Sequence, residues 1–125
     1  MTIPNTESLR IRINQNGVKP GLRKLAQFQE ALRLRATPKL YAQDGVKDKM
    51  VYVKFFNPCG AQTWFVTEWD GGECVFCYMT GTADPEWGYT DLSELSEITG
   101  SLRIGIEIDV DFRPKKMSEI TALDK

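Results

Sequence analysis

At 125 residues, 42% hydrophobic and 26% charged, the chain has the composition of one ordinary globular domain and not that of a disordered segment or a two-core protein. No stretch approaches the roughly 18 consecutive apolar residues of a spanning helix. A net charge of −1 conceals an asymmetry: residues 1–50 hold ten Lys/Arg against four Asp/Glu, and residues 51–125 hold six against thirteen, so the two halves are expected either to neutralise each other or to face different partners.

In chain order, "SLRIRIN" alternates Leu9, Ile11 and Ile13 with Arg10, Arg12 and Asn14, the period of a half-buried strand. After the loop "NGVKPG", the segment "LRKLAQFQEALRLR" sets Leu22, Leu25, Phe28 and Leu32 at helical spacing and predicts an amphipathic helix, with Arg23, Lys24, Gln27, Glu30 and Arg35 mainly on the opposite side. Pro38 ends it, and Asp44-Gly45 marks a turn in the connection that follows. "MVYVKFF" (50–56), "TWFVTEW" (63–69) and "ECVFCYM" (73–79) are rich in β-branched and aromatic residues and predict an antiparallel meander, with a tight hairpin at Gly71-Gly72.

"TGTADPEWGY" has the Gly, Asp-Pro and small residues of a loop, and "TDLSELSEI" has Asp91 as an N-cap with Glu94 three positions later, which predicts a short helix near 91–98. In "LRIGIEIDVDF" the residues Ile104, Ile106, Ile108, Val110 and Phe112 alternate with Arg103, Gly105, Glu107, Asp109 and Asp111, the pattern of one continuous strand closed by Pro114. "KKMSEITALDK" remains as a polar tail or a short terminal helix. The whole reads as a single α+β domain: a basic strand and helix over 1–37, a β-rich core over 38–120 and a tail over 121–125.

Cys74 and Cys77 stand in a C-x-x-C spacing, yet three residues apart on a strand they point to opposite faces of the sheet. Structural zinc needs four converging ligands, and the chain offers three cysteines and no histidine. A redox pair would place its first cysteine at a helix N-terminus, and Cys74 follows a hairpin. The pair is therefore read as packing residues, and Cys59 as a more exposed loop thiol with no histidine to act as its base; no metal and no cofactor is expected. Three reduced cysteines, and an N-terminus "MTIPNTESLRIRINQ" without a charged segment leading into an apolar run, fit the cytoplasm.

The missing histidine also removes every Ser-His and Cys-His arrangement and the commonest general base. What remains is carboxylate and surface chemistry. Glu107, Asp109 and Asp111, on one face of the predicted last strand, form an acidic row suited to a basic partner, with Mg²⁺-dependent or acid/base catalysis as an alternative. Equal spacing of Arg10 and Arg12 also allows an ion-pair ladder between the first and last strands. Glu86 and Trp87 join the acidic candidates, and Trp87 and Tyr89 are candidate interface aromatics. Arg23, Lys24, Arg33 and Arg35 form a second candidate surface, for phosphates of a nucleic acid.

The runs "PKLYAQD" (38–44), "VYVKFFNPCGAQTWFVTEWD" (51–70), "EWGYTDLSELSEI" (86–98) and "IGIEIDVDFRPKKMSEI" (104–120) resemble a bacterial family of unknown function, the domain of unknown function numbered twenty-nine fifty-eight, which is commonly carried by plasmids, phages and integrative elements. The family has no established activity to carry over. The basic segment before residue 37 and the cysteines at 59, 74 and 77 stand outside the resemblance. The function expected of the chain, resting in part on the family's usual company, is that of a non-enzymatic accessory protein of a mobile element. Its expected mode of action is binding a macromolecule through the acidic face, as an inhibitor of a nucleic-acid-handling defence system would, with no role at a membrane.

Overall fold

The computed structural model describes residues 20–99 and 104–123. The predicted strand over 8–14 lies outside them, and with it the ladder of Arg10 and Arg12 against the acidic row. The described elements are α1 (Pro20–Leu34), β1 (Met50–Val51), β2 (Val53–Phe56), β3 (Thr63–Trp69), β4 (Cys74–Thr80), β5 (Glu86–Asp91), α2 (Leu92–Glu97), β6 (Glu107–Ile108), β7 (Lys115–Lys116) and α3 (Met117–Leu123). Strands β2 to β6 form one sheet in the order β5-β4-β3-β2-β6, and β1 pairs with β7. Every described strand pairing is antiparallel, which confirms the α+β reading.

Helix α1 forms because Phe28 and Leu32, one turn apart, bring one stripe to the sheet; both are fully buried, worth about 1.5–3 kcal/mol each. The helix ends in a Schellman motif. Thr37 N–H donates to the Leu32 carbonyl at 3.1 Å and Ala36 N–H to that of Arg33 at 3.0 Å, with Ala36 itself left-handed at φ 56°. α1 and α2 cover one sheet face, where Phe28, Leu32, Val53, Phe55, Trp64, Val66, Val75, Cys77, Leu92 and Leu95 make the main core. On the opposite face a smaller cluster joins Val51, Phe65, Phe112, Met117 and Ile120, so α3 covers only part of that side.

Three local expectations are corrected. The segment 50–56 is two strands, because it changes partner at Tyr52: Met50 and Val51 pair with Lys116 and Lys115, while Val53–Phe56 pair with β3 from Val66 to Thr63. Residues 86–89, read as the end of a loop, belong to β5, which pairs with β4 over its six residues from Met79↔Glu86 to Cys74↔Asp91. The alternation of 104–112 is not one strand: only Glu107 and Ile108 pair with β2, and the chain turns at Val110 and Asp111. Ile106 and Phe112 are buried as expected, but Ile104 is 40% and Val110 72% exposed.

The expected turns and caps are in place. At the β3–β4 hairpin Asp70 Oδ1 accepts from the N–H groups of Gly72 (2.7 Å) and Cys74 (3.1 Å), and Gly71 takes φ 86°. Asp91 caps α2 by accepting from Ser93 N–H at 2.8 Å, and the hydrogen bond from the Ser93 hydroxyl holds its carboxyl below the ordinary aspartate range.

Candidate functional site

The acidic row is the first candidate, and its geometry differs from a free strand face. Glu107 is ion-paired with Lys24 of α1, and Asp109 lies 3.7 Å from Lys54 of β2. Asp109 Oδ1 also accepts from the N–H of Asp111 at 3.0 Å, closing the turn. Two of the three acids are thus met by lysines from neighbouring elements, and the exposed Asp111 sits on a turn and not in line with them. Among the described residues no group of three or more His, Cys, Asp or Glu is placed to hold a metal ion.

The basic helix is similarly occupied. Besides Lys24, Arg33 pairs with Glu30 on the helix surface, and Arg35 Nη2 donates to the Val110 carbonyl at 3.4 Å. Arg23 is exposed. Between the C-terminal half of α1 and the 108–112 turn runs a groove of about 520 Å³, lined by Leu34, Tyr52, Ile108, Val110 and Phe112.

The cysteines are separated as strand geometry requires. Cys77 is 1% exposed and Cys74 half-buried on the opposite face, while Cys59 lies exposed in a loop. Burial pushes the Cys77 thiol up to about 11, and its sulfur lies 3.3 Å from Thr90 Oγ1.

The remaining candidates, Glu86 and Trp87, belong to β5 at the outer edge of the sheet. Register places Trp87 opposite Tyr78 and Tyr89 opposite Phe76. The rings are packed as well as aligned: Phe76 stacks on Trp87 with centroids 5.5 Å apart and meets Tyr89 at 5.0 Å, and Tyr78 meets Trp87 at 5.1 Å. Trp87 is 37% and Tyr89 56% exposed, so this supported aromatic strip opens to solvent. Tyr41 stands beside it, 65% exposed, and a side-chain hydrogen bond with Tyr41 pushes the Tyr89 phenol up.

Tyr41 is held there by Glu68, a carboxylate 3% exposed that accepts from the backbone N–H groups of Tyr41 and Gln43, both at 2.8 Å. The Gln43 side chain completes the seam: its amide nitrogen donates to the carbonyls of Met50 and Thr67, and its oxygen accepts from Met50 N–H. Glu68 reaches this seam because the β3–β4 register slips between Val66 and Glu68, a bulge that re-aims the side chains beyond it. Tyr41 itself adopts φ 71°, a left-handed conformation that an aromatic residue takes only where its surroundings impose it.

The family model described as "Protein of unknown function (DUF2958)" matches residues 25–123. The chain belongs to the DUF2958 family. No curated protein and no solved structure matches it. The DUF2958 match begins inside α1, so Arg33 and Arg35 fall within the family's extent while Arg23 and Lys24 precede it, and most of the helix is part of the family domain and not a lead-in. Tyr41, Glu68 and the whole of β5 lie inside the match.

Glu68, Tyr41 and Phe76 are the site residues that sequence reasoning missed. The signal for Phe76 was present, since F-x-Y in "VFCYM" and W-x-Y in "EWGYT" have the same i, i+2 spacing and one can face the other. For Tyr41 and Glu68 no local pattern exists, because the two meet across 27 positions of chain.

Proposed function

We propose that this DUF2958 chain is a non-enzymatic accessory protein of a mobile genetic element that binds a basic protein, one that handles nucleic acid in host defence, through the acidic and aromatic surface around β5. The observation that carries this reading is charge segregation. Residues 55–102, which include β3, β4, β5 and α2, contain eight Asp/Glu and no Lys or Arg. A surface of one sign draws an oppositely charged partner and occupies a groove made for phosphates. Exposed tryptophan and tyrosine on the same strand supply the aromatic anchors that dominate protein interfaces.

This moves the centre of the surface from Glu107 and Asp109, which are met by Lys24 and Lys54, to Glu86 and Trp87. It also stands above the nucleic-acid reading, because Lys24, Arg33 and Arg35 are each engaged by a carboxylate or a carbonyl.

The test is affinity capture from a bacterial lysate with the full chain and with a Glu73→Lys/Glu86→Lys variant. Nucleic-acid-binding proteins are expected on the wild-type chain, released by excess duplex DNA and absent from the variant. Capture that neither the charge reversal nor the DNA alters would refute the proposal.

A further inference from the structure

The two ends of the sheet differ in a way that bears on how a partner is held. At one end β6 is two residues long, too short to template another strand. At the other, β5 pairs with β4 over six residues without a register shift, and among the described residues no strand lies on its outer side. Edge strands are ordinarily blunted by lysine, proline or a bulge. Within "EWGYTD" there is no lysine, no proline and no bulge. Among the described residues, a regular row of backbone donors and acceptors is therefore left at the edge.

The side chains beside that row are arranged for reading alternate positions. Trp87 and Tyr89 project to one face two residues apart, with Phe76 and Tyr78 of β4 packed against them. An added strand would place its own i and i+2 side chains directly next to these two rings. The rings present π faces, and the nearest charged groups in sequence, Asp84, Glu86 and Asp91, are all acidic. Arginine or lysine on the incoming strand meets both conditions, by cation–π contact with the rings and by attraction to the carboxylates.

We propose that β5 is a strand-addition site, and that its occupant is an extended segment of the partner protein carrying arginine or lysine at alternate positions. The proposal rests on the acidic-surface reading above and specifies its mode: backbone hydrogen bonds give the pairing, and Trp87 and Tyr89 select the basic residues.

The experiment titrates the full chain with a synthetic octapeptide of alternating arginine and threonine, and with the same peptide N-methylated at alternate residues so that one edge has no N–H donors. The unmethylated peptide is expected to bind, to slow amide exchange across Glu86–Asp91, and to bind about tenfold more weakly to Trp87→Ala and to Tyr89→Ala. The methylated peptide, equal in charge, is expected to lose that protection and most of the affinity. Equal binding of the two peptides overturns strand addition while leaving the acidic-surface reading intact. Absence of binding by both overturns the site at β5, and the lysate capture then decides the wider reading by itself. A concentration-dependent dimer that Trp87→Ala dissolves would assign the edge to a second copy of this chain and overturn the basic-peptide proposal.

Discussion

Removing the Glu68 carboxylate should be among the most damaging single changes to this chain. Its two oxygens accept from Tyr41 and Gln43 N–H at 2.8 Å, and it is 3% exposed. Hydrogen bonds to a charged group contribute about 1.5–3 kcal/mol each, so the pair is worth about 3–6 kcal/mol gross. Desolvation of the carboxylate opposes this by several kcal/mol, but the truncation of one member leaves the other unmet, and the cost is then of the order seen on breaking a buried pair. A net loss of about 2–4 kcal/mol is expected for Glu68→Ala. Glu68→Gln retains the shape and one acceptor but sets its NH₂ against the second N–H, so a loss of about 1.5–3 kcal/mol is expected. Urea unfolding followed by tryptophan fluorescence measures both. Hydrogen exchange supplies the local readout, since the Tyr41 and Gln43 amides should lose protection before those of β3. A Glu68→Ala midpoint within about 0.5 kcal/mol of the wild type, with those amides still protected, would refute the assignment of Glu68 as the clamp.

Other outcomes follow from backbone and burial. Gly81 has φ 87°, and a Cβ there would lie 2.0 Å from the Ala61 carbonyl oxygen; Gly81→Ala should cost at least about 3 kcal/mol or prevent folding, as thermal melts would show. Ala36→Gly should instead stabilise by about 0.5–1 kcal/mol, because relief of the left-handed strain at φ 56° exceeds the added chain entropy; an unchanged or lower melting temperature would contradict this. Cys77 is pushed up from 9.0 to about 11 by burial. The unfolded chain therefore loses this proton first as pH rises, and the stability contributed by the neutral thiol is complete below about pH 9 and lost between about pH 9 and 11. Comparing urea midpoints of wild type and Cys77→Val at about pH 8 and about pH 10.5 isolates that component from the tyrosines; an equal decline in both would count against it.

Elements written in local periodicity were legible in the sequence. Phe28 and Leu32 at i, i+4 announced α1, the β-branched and aromatic runs announced β3 and β4, and Asp91 with Glu94 announced α2. The segments that misled are those where local pattern and tertiary partner conflict. In "DPEWGYT" the proline and glycine suggest a loop, yet β4 supplies a ladder that holds Glu86–Asp91 as a strand. In "IGIEIDVDF" the alternation continues past the point where the Asp109 side chain captures the Asp111 N–H and turns the backbone. For the site, the choice of acids was visible from composition, but their counter-ions were not: Lys24 and Glu107 are 83 positions apart. Glu86 and Trp87 were legible as candidates, and the rings that support them were legible only as strand formers.

The placement of α3 has a consequence for how much aromatic surface the chain displays. Across the sheet, register lines up Lys54, Phe65, Tyr78 and Trp87 in one row over four strands, with the Lys54 ammonium 5.7 Å from the centre of the Phe65 ring. The seven-residue helix covers the Phe65 end and leaves the Trp87 end open. It is moored at its first turn, where Met117 N–H donates to the Lys49 carbonyl at 2.9 Å and the Asp48 carboxylate accepts from the N–H and hydroxyl of Ser118. Those hydrogen bonds hold Asp48 below the ordinary aspartate range, so the mooring strengthens as pH rises out of the acid region. The length of apolar surface shown to solvent is therefore set by where a short helix berths, and a chain lacking residues 117–123 would expose the row from Phe65 to Trp87 as one continuous aromatic patch prone to self-association.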